Sequence, residues 1–326
     1  MGMLASRLQL LFWVVPLLVT SCVGAGTPAN PTANGSARAV SSARPETRLR
    51  EPALIAIDEL SGDLVYWEIK DGPSSTPLTL TGNLGTYNAN ALVSDGDVVI
   101  VASHAPAEII EYNVKTKTET TVADPFGAPN RVAVDKAGAV YALSRHEIGV
   151  FPAGSAQPYE IGCKDLRGSQ SLSIAVDDES DVFVAAARKR STNIFELPAG
   201  STKNCVKLDV KSPRNLGGIG IDPKTDDLIV VDNPGIFCSY VGRLTIYPKP
   251  YANGTAKRHI FYANYCAGGF RLDANSTHIY VADETVDESY PLIDVRSYPS
   301  GSGTESYADY SAYTGGFTLV PSALPN

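Results

Sequence analysis

The sequence predicts an all-β fold, a six-bladed β-propeller of four-stranded antiparallel blades, and three observations carry that prediction. A short apolar strand recurs six times, at Leu54–Asp58, Val99–Ser103, Val140–Ser144, Val182–Ala186, Leu228–Asp232 and Ile279–Asp283. The last residues of these copies (58, 103, 144, 186, 232 and 283) stand 41 to 51 positions apart, the length of one blade. A second strand, ending in aspartate, precedes four copies: Asn130–Asp135, Leu172–Asp177, Gly218–Asp222 and Gly269–Asp273, with Asn90–Ser94 as a weaker version. The two ends of the repeat array are incomplete in complementary ways, which predicts a closed ring.

Taken in order, each repeat reads as an inner strand ending in Asp, a turn, the recurring anchor strand, a loop, a third strand and an outer strand. The anchors are dense in Val, Ile and Tyr, which fit a pleated sheet buried on both faces. The aspartate starts the tight turn by accepting bonds from nearby backbone amides. The third strands include Ile148–Ser155 and Ile194–Ser201, which share a Pro-Ala-Gly-Ser ending suited to a hairpin turn. The first repeat begins at Leu54 with an anchor strand and no inner strand before it. The chain ends on Gly315-Gly316-Phe317-Thr318-Leu319-Val320, an echo of Gly268-Gly269-Phe270-Arg271-Leu272-Asp273. The C-terminal strand is therefore expected to be the innermost strand of blade one, removing an open edge. A rival register makes Leu54–Asp58 an inner strand with Leu64–Trp67 as its neighbour, and leaves the C-terminal copy without a place.

Length and charge bound the rest. The 326 residues suffice for one large domain with its own core, and 28 Gly and 22 Pro suit many turns. Formal charge is −8, and residues 1–50 hold five Arg against one Glu, leaving residues 51–326 at −12. A domain that acidic repels phosphate backbones, so nucleic acid is excluded as a partner. The apolar run Leu8–Val19 is too short for a membrane span and reads as an export signal. It leads into Val19-Thr20-Ser21-Cys22, which resembles a bacterial lipobox. The resemblance implies that residues 1–21 are removed and that Cys22 carries the lipid anchor, palmitate included. The competing reading is an ordinary secretory signal cut after Ala25. Residues 22–50, rich in Gly, Ala, Ser, Thr and Pro, read as a flexible tether, and 51–326 as the propeller. The expected location is the cell envelope, at the outer membrane or cell surface, with the domain outside the cytoplasm and monomeric.

The blade phrase resembles that of NHL-type six-bladed propellers. Ile279-Tyr280-Val281-Ala282-Asp283, Gly138-Ala139-Val140-Tyr141 and Ile148-Gly149-Val150-Phe151 carry the resemblance, which covers roughly residues 52–322. The wider superfamily, gluconolactonase and virginiamycin-lyase propellers included, holds binding modules and enzymes alike. In such propellers the loops after the anchor strands and those entering the inner strands open on one face around the channel. Mapping the repeats onto that face places Asp58, Glu59, Asn90, Ser103, His104, Asn130, Arg131, Arg145, His146, Arg188, Asp232, Asn233, Asp283 and Glu284 there.

Three readings of this mouth stand open. Carboxylates of blades one, five and six with Asn side chains can hold Ca²⁺ or Mg²⁺, as lactonase-type relatives do with a Glu, Asn, Asn, Asp set that does not match here residue by residue. His104 or His146 can act as general base beside such a metal, as in lyase-like relatives. Alternatively the acids cap loops and the histidines are polar surface. Arg131, Arg145 and Arg188 oppose the acids, a polarity that could orient a carboxylate or sugar acid. No GxSxG, HExxH, CxxC, phosphate-loop or EF-hand pattern occurs in the sequence. The sequence therefore points to an envelope-anchored module binding a protein, glycan or small ligand, with a metal-dependent lactonase or lyase as the alternative.

Four cysteines remain beyond Cys22: Cys163, Cys205, Cys238 and Cys266. An even count in an exported chain suggests two disulfides, in one of three pairings. Cys238 follows the fifth anchor strand and Cys266 precedes the sixth inner strand, on one face, so these are expected to pair. Cys163 with Cys205 follows by elimination.

Overall fold

A sheet edge without a partner leaves backbone donors and acceptors open, and the chain removes this problem by joining its last strand to its first. The structure is a computed structural model that describes residues 53–320 apart from 59–62, 70–77, 82–88, 146, 155–156, 189–190, 214–215, 233–242, 252–255, 257, 262–266, 274, 284–291, 304 and 309–315. Side chains at 58, 78, 81, 89–92, 258–261, 267–268, 283, 292 and 305–308 also lie outside the description. So do the segment 1–52, with Cys22, and residues 321–326.

In chain order the strands begin with β1 (Ala53–Asp58), β2 (Asp63–Glu68) and β3 (Leu78–Thr81). Blade two holds β4 (Ala89–Asp95), β5 (Val98–Ser103), β6 (Glu108–Asn113) and β7 (Thr118–Ala123). Blade three holds β8 (Arg131–Val134), β9 (Val140–Leu143), β10 (Ile148–Phe151) and β11 (Tyr159–Ile161). Blade four holds β12 (Gln170–Val176), β13 (Val182–Arg188), β14 (Ser191–Leu197) and β15 (Val206–Lys207). Blade five holds β16 (Leu216–Ile221), β17 (Leu228–Asp232), β18 (Arg243–Tyr247) and β19 (Arg258–Phe261). Blade six holds β20 (Ala267–Leu272), β21 (His278–Asp283), β22 (Leu292–Ser297) and β23 (Glu305–Ala308), and β24 (Phe317–Val320) ends the series.

The described strands form six four-stranded antiparallel sheets, and blade one runs in the order β24-β1-β2-β3. Ala56 faces Phe317 on one side and Val65 on the other, and Leu54 faces Leu319, so the rival register is set aside. The inner strands β4, β8, β12, β16, β20 and β24 each neighbour the next, closing the ring.

Both faces of each blade must be covered, and each of the six boundaries has its own apolar cluster. Between blades six and one, Phe317 and Leu319 of β24 pack with Leu54, Trp67, Tyr280 and Ile293. Ile55, Leu64, Val99 and Ile110 fill the next boundary. Between blades five and six the ring of Phe270 needs space that only a missing side chain supplies, since a Cβ on Gly220 would lie 2.8 Å from it. The disulfide Cys163–Cys205 joins the outer strands of blades three and four, with Cα atoms 5.8 Å apart. Cys238 and Cys266 lie outside the described residues.

On the face away from the mouth the strand-ending aspartates do more than start turns. Asp135, Asp177, Asp222 and Asp273 each accept backbone amides from their own turn. Aligning the anchors shows that blade two has the same residue one position past the predicted strand end, as Asp95, because Ser94 pairs with Val99. In three of the blades a left-handed residue of the following turn then approaches the previous aspartate. Ser180 (φ 66°) donates to Asp135 at 3.2 Å and Ser276 (φ 49°) donates to Asp222 at 2.8 Å. Gly138 (φ 80°) faces Asp95 so closely that a Cβ would sit 3.0 Å from its carboxylate. At the boundary of blades four and five the left-handed residue is Asp226 (φ 54°), which would set carboxylate against carboxylate. Lys249 resolves the conflict, its ammonium lying 3.4 Å from Asp177, 3.7 Å from Asp226 and in contact with Glu179.

Two outcomes follow. Phe317→Ala removes a ring that is 3% exposed, and a loss of about 3–5 kcal/mol is expected in urea unfolding. Lys249→Met leaves the fully buried Asp177 carboxylate facing Asp226. An expected cost of about 1–2 kcal/mol at pH 7 lies between surface and buried ion-pair values. Burial already holds the Asp177 pKa up, so the deficit relative to wild type shrinks as pH falls and the carboxylate takes a proton. The check is the urea midpoint of both proteins at pH 7 and pH 4.

Candidate functional site

The mouth is built from strand ends, so the pairing register fixes where each predicted residue stands. Ladders between inner and anchor strands carry register shifts near the mouth in blades two, four, five and six. Such bulges turn strand ends and re-aim their side chains. His104 lies exposed in the turn after β5 and Arg145 exposed in the turn after β9. The Arg145 carbonyl accepts the Ser171 amide at 3.2 Å, which ties the loops of blades three and four. Arg188 closes β13 opposite Ser191 and is exposed. Arg131 opens β8 and donates to the Asn130 carbonyl at 2.7 Å.

Of the acids, Asp232 is buried (7% exposed) at the end of β17 and accepts from Arg243 at 3.0 Å. The two residues face each other in the β17–β18 ladder. Asp58 ends β1 and Asp283 ends β21, as the repeat predicted, while their side chains lie outside the description. His146, Asn233 and Glu284 are outside the described residues altogether.

Two groups not singled out in the sequence come into view. Asp124, on the loop between β7 and β8, is 7% exposed, and its Oδ1 accepts the Phe126 amide at 2.9 Å. Loss of water raises its pKa to about 6, the Phe126 bond lowers it, and the nearby Glu147 adds to the rise. The sequence signal was Asp-Pro-Phe-Gly, which reads as an ordinary turn.

The second group is Arg271 on β20, which lines the central channel. The copies of this position in blades three, four and five are Ala133, Ala175 and Gly220, so a charge among small residues was the available signal. All six inner strands contribute to a channel cavity of about 160 Å³, with walls that include Val132, Ile174, Ile219, Phe270 and Leu319. Its end away from the mouth is rimmed by Asp135, Lys136, Asp177 and Asp178. Desolvation brings the Arg271 pKa down to about 10, and Arg131, on the opposite side of the ring, pushes the same way. Arg271 donates to the Phe270 carbonyl at 2.8 Å, as Arg131 does to its own preceding carbonyl.

No family model matches the sequence, and no curated protein matches it. Among solved structures, a chain of a nidogen/laminin complex is similar with a TM-score of 0.63 at 12% identity, over 84% of this chain and 100% of that one. This chain is a six-bladed propeller. TolB from Acinetobacter baumannii matches with a TM-score of 0.58 at 12% identity, and the match spans 83% of the propeller chain and 66% of TolB. A streptogramin B lyase matches with a TM-score of 0.51 at 10% identity, over 73% and 89% of the two chains. Likeness at these identities speaks for the propeller's fold and is silent on its ligand.

Asp124→Asn keeps the acceptor for Phe126 and removes the buried charge. With a native pKa near 6 and an unfolded one of about 3.9, the wild-type carboxylate costs stability above pH 6 and recovers it on protonation below. The variant is expected to be about 1–2 kcal/mol more stable than wild type at pH 7. That advantage should fade by pH 4, as measured by urea unfolding at both values.

Proposed function

We propose that the protein is an exported, lipid-anchored propeller that serves at the cell envelope as a binding module. Its ligand, a protein, a glycan or a small molecule, meets the channel mouth. The observation that carries the reading over the metal-enzyme alternative is the state of Asp232. That carboxylate, one of the acids of blades one, five and six that a Ca²⁺ or Mg²⁺ site at the mouth would draw on, is buried against Arg243 at 3.0 Å. A cation there would have to displace a guanidinium already in a charge-assisted bond.

Further support comes from Arg145 and Arg188, which stand exposed on the predicted mouth where a partner can reach them. The ring beneath holds those loops in place, the usual division between scaffold and recognition surface. The Cys163–Cys205 disulfide fits an oxidising compartment and so an exported domain. Among similar folds, the nidogen/laminin complex is a propeller solved in a protein assembly and the streptogramin B lyase is an enzyme. Fold alone therefore favours neither role.

Three measurements test the reading. Cys22→Ala is expected to move the protein from the membrane fraction to the soluble exported fraction, with loss of palmitate labelling. An unchanged distribution would sink the anchor. The doublet Arg145→Glu and Arg188→Glu should lower retention on host envelope material at least tenfold while leaving thermal stability intact. Stabilisation by Ca²⁺ or Mg²⁺ that disappears in Asp232→Ala would instead establish the enzyme reading.

A further inference from the structure

One face of blade four packs on blade three, and the strand register shows what that face carries. Ala186 pairs with Asn193, and Phe195 with Lys207. Arg188 lies two residues beyond Ala186, and Asn193 two before Phe195, so all five side chains fall on the same face. Ala186 and Phe195 belong to the apolar cluster between blades three and four. Past the edge of that cluster the face opens into a cavity of about 230 Å³, lined by all five residues with Asp165 and Ser169. Arg188 and Lys207 are exposed, and among the described residues neither side chain is engaged in an ion pair. The cavity's one acid, Asp165, leans toward the disulfide, with its Oδ2 3.9 Å from Sγ of Cys205.

We propose that this cavity binds a segment of a uronate-bearing glycan, with one carboxylate at Arg188 and another at Lys207. Lys207 stands opposite Phe195 and Arg188 opposite Ser191, four residues apart along β14, or about 13 Å. The two cations therefore mark the ends of the cavity, a spacing that suits two acids on one chain better than a single small anion. A guanidinium's planar fork matches the two oxygens of a carboxylate, and an ammonium adds a point charge. Between them the half-buried Asn193 offers donors and an acceptor to sugar hydroxyls, over a floor of Phe195 and Ala186. The volume equals the liquid share of roughly eight waters at about 30 Å³ each, room for one ring between the charged ends. Asp165 also lines a wider cleft of about 970 Å³, where Glu147 and Glu160 balance Lys164 and Lys203, so the chain can run on past the cavity. No open apolar hollow is offered to the aromatic anchors that dominate protein interfaces, which favours a glycan over a peptide.

This inference rests on the binding-module reading and names its ligand class. The full protein is titrated calorimetrically with hyaluronan hexasaccharide, neutral isomaltohexaose, hexaglutamate and sodium sulfate. The hyaluronan fragment is expected to bind, and the other three to bind at least tenfold more weakly or not at all. Arg188→Met and Lys207→Met keep the side-chain stems at exposed positions, so both variants should fold and melt as wild type does. Each should weaken hyaluronan binding at least tenfold. Lys136→Met, exposed at the far end of the channel, should leave the affinity unaltered. No response to hyaluronan overturns the proposal, as does equal binding of any other probe. So does a smaller loss in either cavity variant, or an equal loss in Lys136→Met, which would make the effect one of bulk charge. The recovered hexasaccharide is weighed by mass spectrometry. Intact sugar agrees with a binding module, whereas shortened sugar refutes that reading and leaves the site standing. Failure of hyaluronan to bind, with envelope retention still lost in the Arg145 and Arg188 doublet, strikes the site and leaves the module.

Discussion

The pairing of β1 with β24 is the contact on which the remaining structure depends. Without it, the anchor strand of blade one would present an unpaired edge, and blade six would lose Phe317 and Leu319 from its packed face. The covalent ends of the domain thus meet through four residue pairs, from Ala53–Val320 to Ala56–Phe317. Ser94 and Thr318 add a polar contact at the adjoining boundary, with Ser94 donating to the Leu319 carbonyl and Thr318 donating to Ser94. A ring of this kind converts local repeats into long-range order, since each blade buries its faces only against neighbours.

Departures from the repeat are as informative as the repeat itself. Ser180 and Ser276 fill equivalent turn positions and satisfy the aspartate of the blade before them. Asp226 breaks the pattern, and Lys249 supplies the missing positive charge. Gly220 gives up a side chain to seat Phe270. Arg271 places a charge where its sister blades keep small residues. The first two substitutions have partners that explain them as packing and charge balance. Arg271 is different in kind, because it introduces charge into a space lined largely by hydrocarbon.

The candidate mouth and the channel have different physics. Around the mouth, exposed His104, Arg145 and Arg188 meet water, where single charges are weakly felt and contribute to encounter and orientation more than to affinity. Within the channel, desolvation magnifies each charge. Asp124 and Asp232 lie between these extremes, buried among loops and strand ends. One is held up in pKa by lost water, and the other is engaged with Arg243.

The six-fold strand phrase, the aspartate turns, the clasp by Phe317–Val320 and the even count of cysteines were legible in the sequence, because each depends on residues close together or on a repeated spacing. So was the pairing of Cys163 with Cys205, by elimination. Tertiary structure alone decided the rest. It revealed that Asp95 belongs to the series of turn aspartates, that Asp232 is engaged by Arg243, and that Lys249 bridges two blades. It also revealed that the strands carrying Arg131 and Arg271 lie on opposite sides of the ring. These are relations between blades, set by ring closure, and a linear chain carries no distance between residues 140 positions apart until its edges have met.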